Sequence, residues 1–491
     1  MMNGNGRNYS RVEILFFLVF LTLIYFAVFH RLGRLPISLW DESLFSLRAL
    51  HMHLTGEYMS DFNLFNGLPN HRNTKLPFTI FFQVLSLKVF GVNELAIRLP
   101  NALIFTGTAI YMLGHFKSRF GSVWSGFIFG LVAITTLGFM RTHMLSTGDQ
   151  DAPFACYILL ATLAFVTYSE SRKTLPLVGF VFFSLAAVLT KNLLAGLLAP
   201  GIIVYLFISR QYLLVFRDLK FWLACLIIIG VYIGVIYYYE LRFPGFFDRM
   251  WGYELVGRYN ETIEDHYDSP FYYLKLITLD GFSPYSFLLP IVIFGVLRTK
   301  ADRKLKNSMI STACVIFSFV MILSFSKTQA PWYIAPVYLL GPYMIALGSL
   351  PVLQYLGGLT RRSRLVVVGI IFMLWFIFFV GVVSNNLKRV PDLDEEKYGL
   401  FMGRLALEIP EMKIYTLVDN GFGSSSKFYT EMYNLKGEGY NIGYQRDIIY
   451  NRNQIIMTCL DAVSTDTYAQ YKIEELKTWD KCKLLKVISA K

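Results

Sequence analysis

Trp40-Asp41-Glu42-Ser43 is an acidic stretch directly after the first apolar run of this chain, and His71-Arg72-Asn73-Thr74-Lys75-Leu76-Pro77 follows in the same polar segment. The acidic pair marks the end of one apolar run, and the lysine before the proline stands where the chain turns apolar again. Charged groups at a membrane surface are costly to keep there. The two stretches therefore indicate a functional site at a membrane boundary.

The composition is that of a membrane protein with several transmembrane helices. Of the 491 residues, 55% are hydrophobic and 16% are charged, and the mean hydropathy is +0.46. The net charge of +12 could indicate nucleic-acid binding. However, the basic residues cluster in short loops between apolar runs, where they set membrane orientation. We expect membrane lipids, and no nucleic acid, among the partners.

About eleven apolar runs are long enough to cross a bilayer, which requires roughly 20 mostly apolar residues each. The run 77–91 is shorter and is interrupted by Gln83 and Lys88, so we interpret it as an interfacial or re-entrant helix. The first run lacks a small-residue cleavage site, so we expect it to be an uncleaved helix. The predicted spans are 12–30, 98–116, 122–140, 152–169, 174–190, 193–209, 219–239, 283–298, 307–325, 332–350 and 364–384.

The basic loops all fall on one side of the membrane if these spans are correct. The positive-inside rule then places the N-terminus in the cytoplasm. The long polar loops 31–97, 141–151, 240–282 and 326–331 fall on the outer face, where we expect the chemistry. The basic residues are Arg7, Arg11, Lys117, Arg119, Arg172, Lys173, Arg210, Arg217, Lys220, Arg298, Lys300, Arg303, Lys304, Lys306, Arg361, Arg362 and Arg364.

The region 388–491 differs from the membrane part, 1–387. Its apolar runs have strand length and alternate with helix-like segments, which predicts a small α/β domain on the outer face. The predicted strands are 413–418, 454–460 and 484–489, and the predicted helices are 425–434 and 465–476. Cys459 and Cys482 could pair if this region faces an oxidising compartment, and the sequence leaves that open.

The order of the motifs resembles the membrane glycosyltransferases of the GT-C superfamily, in the branch of protein O-mannosyltransferases and lipid A aminoarabinose transferases. The resemblance covers roughly residues 10–350. It implies a GT-C type of fold, with about 11–13 transmembrane helices and interfacial helices in the first outer loop, and it does not extend to the C-terminal domain. The motifs are Trp40-Asp41-Glu42, Asn73-Thr74-Lys75-Leu76-Pro77, Val89-Phe90-Gly91-Val92-Asn93-Glu94, Arg98-Leu99-Pro100-Asn101-Ala102, Gly148-Asp149-Gln150-Asp151-Ala152-Pro153, Leu189-Thr190-Lys191, Ser326-Lys327 and Pro331-Trp332-Tyr333-Ile334-Ala335-Pro336.

The resemblance also implies roles for single residues. Asp41 corresponds to the general base, Lys75 to the lysine that binds the lipid phosphate, and Tyr333 to a tyrosine that approaches the phosphate. His266 corresponds to an active-site histidine. Some members carry a metal-binding glutamate before the lysine, where this chain has Thr74. No cofactor is therefore certain, and a divalent metal, with His266 as one ligand, stays open.

The chemistry of such a transfer agrees with these roles. A phosphate that leaves as an anion needs cations and hydrogen-bond donors, for which Lys75, Arg258, Lys327 and Tyr333 are candidates. A positioned carboxylate that accepts the proton of the attacking hydroxyl typically contributes about 10²–10⁴-fold. A single displacement of this kind inverts the anomeric centre.

Each of these residues also has a purely structural interpretation. Asp41 and Glu42, the latter a candidate substrate ligand, could be first-turn acids favoured by a helix dipole, and Lys75 could be a snorkelling lysine. Asp149 and Asp151 could bind sugar hydroxyls or cap the helix that follows them. We interpret His143 and Lys191 as structural residues.

The leading hypothesis is an inverting glycosyltransferase in the cytoplasmic membrane. It would move a sugar from a polyprenyl phosphate, undecaprenyl phosphate in a bacterium, to a hydroxyl of lipid A, another envelope glycan or a protein. The alternative is a transporter or flippase of lipid-linked sugars. Transporters usually carry broken or charged helices near the midplane and inverted repeats. Here the ionisable residues gather in outer loops, which favours the enzyme.

Overall fold

The protein is a helical membrane bundle with a small α/β domain at its C-terminal end. The structure, a computed structural model, describes residues 10–65, 68–70, 73–141, 143–262, 269–298, 302–388 and 393–491. The helices of the membrane part are Arg11–Ile24, Tyr25–Phe29, Asp41–Thr55, Phe78–Phe90, Glu94–Phe120, Val123–Ala133, Leu137–Met140, Asp151–Ser171, Thr174–Lys191, Asn192–Leu197, Leu198–Ile208, Tyr212–Phe216, Leu219–Arg242, Phe246–Met250, Trp251–Gly257, Arg258–Asn260, Tyr272–Lys275, Leu276–Gly281, Tyr285–Leu288, Leu289–Arg298, Arg303–Ser324, Pro331–Ile334, Val337–Gly358 and Arg361–Lys388.

The number of spans is lower than predicted when helices are judged by length and apolar composition. Eight helices in the described residues pass that test, and the bent pair Tyr272–Gly281 and Tyr285–Arg298 adds a ninth. The prediction of eleven or more differs for two reasons. The expected spans 174–190 and 193–209 form one helical stretch, Thr174–Ile208, and the span 122–140 is divided between the short apolar helix Val123–Ala133 and the four-residue helix Leu137–Met140.

The stretch Thr174–Ile208 nevertheless reverses direction inside the bundle. Nζ of Lys191 lies 2.9 Å from Oδ2 of Asp151, which begins the helix Asp151–Ser171. The hydroxyl of Tyr205 lies 3.0 Å from that of Ser169, near the other end of the same helix. The turn is made at Asn192, whose φ is +47°. The chain therefore passes from one end of the bundle to the other and back, as two separate spans would.

Ion pairs join the helix ends at the basic side of the bundle. Lys117 pairs with Glu13 at 3.2 Å, and Arg119 pairs with Glu170 at 2.8 Å. Asp41, Asp151 and Lys191 lie at the opposite end, together with the helices Asp41–Thr55 and Phe78–Phe90 that the polar segment 31–97 forms. The polar loops and the basic loops thus occupy opposite ends, which is the arrangement predicted from charge.

The C-terminal region forms a five-stranded mixed sheet with helices Lys397–Glu408, Ser424–Leu435 and Asp461–Gln470. Cys459 and Cys482 are joined by a disulfide. The prediction of a helix over 465–476 was wrong in its second half, because the chain turns into an edge strand at Tyr471 that pairs with the strand after it. The strand order is Asn441–Gln445, Ile414–Val418, Ile455–Thr458, Cys482–Ala490 and Tyr471–Trp479, with the first three parallel and the last two antiparallel to their neighbours.

Candidate active site

Asp41 is the first residue of the helix Asp41–Thr55, and its carboxylate is half-buried. The chain enters this helix through Trp40, whose φ of 68° turns the backbone sharply. A carboxylate in the first helical turn interacts favourably with the helix dipole. Among the described residues, none donates a hydrogen bond to the carboxylate of Asp41. Its oxygens are therefore available to accept a proton from a substrate.

Glu42 lies beneath the site rather than in it. Its side chain is fully buried, and its two oxygens accept from Nε and Nη2 of Arg98 at 2.6 and 2.9 Å. The same oxygens accept from the backbone N–H groups of Ser38 and Gly148 at 2.8 and 2.7 Å. A buried charge persists only when it is satisfied in this way. The sequence predicts that Glu42 binds substrate, but its burial and these four hydrogen bonds make it a positioning residue that joins three separate segments of the chain.

Several positive charges act on Asp41. Burial raises the pKa of its carboxyl group, but the charges of Lys191, His143, Lys75 and Arg258 outweigh burial and leave the pKa below its ordinary value. These four residues come from four separate segments of the chain. Asp41 is consequently an ionised carboxylate surrounded by cations, which suits a general base that works beside an anionic leaving group.

Lys75 and Arg258 share one carboxylate, that of Glu254. Nζ of Lys75 lies 2.6 Å from Oε1 of Glu254, and Nε of Arg258 lies 3.3 Å from Oε2. The hydroxyl of Thr74 also donates to Oε1. Burial raises the pKa of Glu254, but Lys75 and Arg258 together lower it to about 2. Glu254 thus holds both cations in place at the edge of the site.

His143 stands between Asp41 and Asp149. Its Nδ1 lies 3.4 Å from Oδ2 of Asp149, its ring stacks on that of Trp332 at 4.1 Å, and its φ is 65°. Burial lowers the pKa of His143, but Asp149 more than compensates and raises it to about 9. Asp149 is buried and also accepts from the hydroxyl of Thr147 at 2.7 Å.

These three residues are also the candidate metal ligands of the described part of the chain. One ligand atom each from Asp41, His143 and Asp149 lies within 4.8 Å of the others. Two carboxylates and a neutral imidazole could hold a divalent cation. The same geometry suits an imidazolium between two carboxylates, and the raised pKa of His143 favours that state. The predicted metal ligand His266 lies outside the described residues.

The remaining predicted residues occupy different positions around the cluster. Asp151 is buried and pairs with Lys191, so it holds that lysine towards Asp41. Tyr333 is buried beside Arg258, 5.4 Å from ring centroid to guanidinium, and no described residue hydrogen-bonds its hydroxyl. Lys327 is exposed, and its backbone N–H donates to the carbonyl of Tyr259. The structure therefore places Lys327 next to the Arg258 segment rather than in the cluster around Asp41.

Sequence reasoning missed Glu254, treated His143 and Lys191 as structural, and gave Arg98 no role. One signal could have revealed Glu254, because it lies four residues before Arg258, a spacing at which two side chains meet on a helix. Nothing local marks the partnership of Lys75 with a residue so distant in the chain.

An apolar cavity of about 260 Å³ lies beside the cluster. Tyr232 and Ile236 form one wall, and Met250 and Trp251 form another. Trp251 precedes Glu254 by three residues in the same helical segment. The wall residue Tyr232 also interacts electrostatically with Glu254, so the cavity lies near the carboxylate that pairs with Lys75 and Arg258.

Comparisons with known proteins agree with this architecture. Residues 74–238 match the family model of dolichyl-phosphate-mannose-protein mannosyltransferases. An uncharacterized protein of Aquifex aeolicus (strain VF5) is 28% identical over 325 residues, which cover 66% of this chain and 61% of the relative. The chain thus spans about three fifths of the length of that relative.

Two solved structures share the fold over almost the whole chain. ArnT from Cupriavidus metallidurans bound to undecaprenyl phosphate matches with a TM-score of 0.71 at 15% identity, covering 98% of both chains. The same protein in its apo state matches with a TM-score of 0.68 at 15% identity, covering 96% of this chain and 97% of that one. The fold expected from the motifs is confirmed, and so is the small C-terminal sheet domain that strand-helix alternation predicted.

Proposed function

We propose that this chain, which has the fold of the GT-C membrane glycosyltransferases, transfers a sugar from a polyprenyl phosphate to a hydroxyl acceptor. One observation carries the proposal: an ionised carboxylate, Asp41, lies in the joint field of Lys75, Arg258 and Lys191, which come from distant segments. A cluster of this composition at one end of a membrane bundle fits a reaction that removes a proton and releases a phosphate.

Lys75, Arg258 and Tyr333 would bind the leaving phosphate. Lys75 and Arg258 are held together by Glu254, and the ring of Tyr333 packs against the guanidinium of Arg258. Charge-assisted hydrogen bonds from such donors are the strongest that a protein offers to a phosphate. Because negative charge grows on the phosphate as the bond breaks, these donors stabilise the transition state more than the ground state.

Asp41 would be the general base. The acceptor hydroxyl oxygen forms a bond to the anomeric carbon while the bond from that carbon to the phosphate oxygen breaks. The hydroxyl proton goes to Asp41, and the electron pair of the broken bond leaves with the polyprenyl phosphate. One displacement on the side opposite the leaving group inverts the anomeric configuration.

The apolar cavity supports a lipid carrier as donor. It adjoins Glu254 and is lined by aromatic and aliphatic side chains of the helices Leu219–Arg242 and Phe246–Met250, among others. Undecaprenyl phosphate is the molecule bound to the Cupriavidus ArnT of the same fold. A polyprenyl chain of this kind would place its phosphate between Lys75 and Arg258.

The location follows from charge. With the basic helix ends in the cytoplasm, the cluster faces outward from the cytoplasmic membrane, and the N-terminus is cytoplasmic. The transferred group would be a hexose or a pentose. The acceptor would be lipid A, another envelope glycan or a protein hydroxyl. The residues 1–387 would carry the reaction, and 388–491 would form an extracytoplasmic domain.

Reconstitution separates the enzyme from a flippase. The purified protein is placed in vesicles with a polyprenyl-phosphate sugar, and lipid A or a Ser/Thr peptide is added as acceptor. We expect glycosylated acceptor and free polyprenyl phosphate in equal amounts, and loss of both with Lys75→Ala. Movement of the lipid-linked sugar across the vesicle, without transfer to either acceptor, would instead identify a flippase.

A further inference from the structure

Trp40 is unusual for a residue directly before a candidate catalytic base. Its side chain is 49% exposed, and its backbone adopts φ 68° and ψ −125°. Non-glycine residues with positive φ are uncommon and cluster at functional sites. Trp40 and Asp41 are consecutive, so Trp40 is the exposed aromatic residue nearest in the chain to the proposed base.

The C-terminal domain fixes the backbone in front of Trp40. We call residues 37–40 the strap. The N–H of Ile37 donates to the hydroxyl of Tyr429 at 2.8 Å, and the N–H of Leu39 donates to Oε1 of Glu396 at 2.8 Å. Both acceptors belong to the C-terminal domain, more than 350 positions further along the chain. The conformation of the strap therefore depends on contacts from that domain.

A loop of the C-terminal domain also supports the indole ring. The ring of Phe422 lies 4.8 Å from that of Trp40, measured between centroids. The N–H of Phe422 donates to Glu395 at 3.0 Å. Arg446 donates to the carbonyls of Asn420 and Gly421 at 2.8 and 2.9 Å. The loop 420–422 is thus held by side chains of its own domain and presents Phe422 to the strap.

We propose that Trp40 and the loop 420–422 form the acceptor subsite and that the acceptor is bound there through a sugar ring. This inference rests on the proposed function, since it names the acceptor class for the same site. The C-terminal domain then takes part in acceptor binding instead of serving only as an appendage to the membrane bundle.

Two features favour a sugar over an extended peptide. The face of an indole ring carries negative charge density and attracts the positively polarised C–H groups that line one face of a pyranose or furanose ring. An extended peptide would instead need free backbone groups to pair with. The backbone N–H groups of Ile37, Ser38 and Leu39 are already donated to Tyr429, Glu42 and Glu396.

The position also suits the acceptor better than the donor. The donor phosphate is assigned to Lys75 and Arg258, which lie with Glu254 next to the apolar cavity. Trp40 contacts the C-terminal domain, which is on the polar side of the bundle. Donor and acceptor would thus enter the site from different sides, so that the acceptor oxygen can reach the anomeric carbon opposite the leaving phosphate.

Steady-state transfer with Trp40→Ala tests the proposal. The assay uses the polyprenyl-phosphate sugar and whichever of lipid A or a Ser/Thr peptide the wild type glycosylates. We expect the KM for lipid A to rise about 3- to 10-fold, the range of one aromatic contact, with the donor KM and kcat unchanged. Trp40→Phe should restore most of the affinity, and Phe422→Ala should raise the same KM.

Trp222→Ala is the matched control. Trp222 is also 49% exposed, but it begins the span Leu219–Arg242 at the basic end of the bundle. The Trp222→Ala variant should leave the KM for the acceptor and the KM for the donor unchanged. An unchanged acceptor KM in Trp40→Ala and Phe422→Ala would overturn the inference, and so would a wild type that glycosylates only the peptide. In both cases loss of turnover with Asp41→Asn would leave the proposed function standing.

Discussion

Nζ of Lys75 lies 2.6 Å from Oε1 of Glu254, so the lysine assigned to the donor phosphate is already paired with a carboxylate. The same carboxylate lies 3.3 Å from Nε of Arg258. An arriving phosphate must therefore share or take over these cations from Glu254. Glu254 would both position the cations and weaken their hold on the product, which has to leave after each turnover.

Glu254→Gln should tighten the binding of polyprenyl phosphate. Removing the competing charge frees Lys75 and Arg258, and we expect the Kd to fall about 3- to 10-fold, the net value of roughly one typical hydrogen bond. The measurement is titration of the purified protein with polyprenyl phosphate. Glu57→Gln, which removes an exposed partner of Arg242, should leave the Kd unchanged. Weaker binding of polyprenyl phosphate to Glu254→Gln would contradict the idea that Glu254 competes with the phosphate for these cations.

Tyr333→Phe should slow transfer without destabilising the protein. The hydroxyl of Tyr333 is buried and has no hydrogen-bond partner among the described residues, so folding gains little from it. A lost hydrogen bond to a charged phosphate is worth about 1.5–3 kcal/mol, and we expect kcat/KM to fall about 10- to 100-fold. Tyr343→Phe gives the opposite pattern, because its hydroxyl lies 3.3 Å from Nε2 of His115. It should lower the Tm and leave transfer intact.

Arg98→Met should destabilise the protein strongly. It would leave the fully buried carboxylate of Glu42 without its ion pair. Loss of one partner of a buried pair costs about 3–5 kcal/mol. Adding Glu42→Gln removes the stranded charge, so the double variant should recover part of the loss. Denaturation in detergent would measure the stability of the single and of the double variant. Equal stability of Arg98→Met and the wild type would show that the pair does not hold the loops together.

His143 should make stability depend on pH above neutrality. Its pKa is raised from 6.5 to about 9, chiefly by Asp149 against the effect of burial, with Asp41 and Asp151 adding to it. A raised pKa means that the ion pair stabilises the folded state fully below pH 6.5 and stops doing so as the pH rises through about 9. The Tm of the wild type should fall over that window more than the Tm of His143→Gln. If the Tm of the wild type and that of His143→Gln fell in parallel as the pH rises, other groups would be responsible for the pH dependence.

Local patterns were sufficient to predict the membrane bundle, the gathering of the polar loops at one end of it and the C-terminal α/β domain. Hydropathy and loop charge depend on short stretches of sequence, and so does strand-helix alternation. The edge strand at Tyr471 was missed because its pairing with Cys482–Ala490 is a tertiary contact. A helix prediction made from local propensity cannot anticipate such a contact.

The chemistry was harder to predict than the fold for the same reason. Asp41 and Lys75 were proposed from motifs with a recognisable order, and the structure brings them into one cluster. Glu42 was misassigned because its partner Arg98 is 56 residues away and meets it only after three loops have packed. Glu254 was missed because its pairing with Lys75 depends on where the helical segment Trp251–Gly257 comes to lie.

Asp41→Asn tests the central claim most directly, because it keeps the size of the side chain and removes its ability to accept a proton. Single-turnover transfer from a polyprenyl-phosphate sugar should slow by about 10²–10⁴-fold, while polyprenyl phosphate binds as in the wild type. Asp466→Asn, on an exposed helix of the C-terminal domain, should transfer at the wild-type rate. Transfer by Asp41→Asn within a few-fold of the wild-type rate would contradict the assignment of Asp41 as the base.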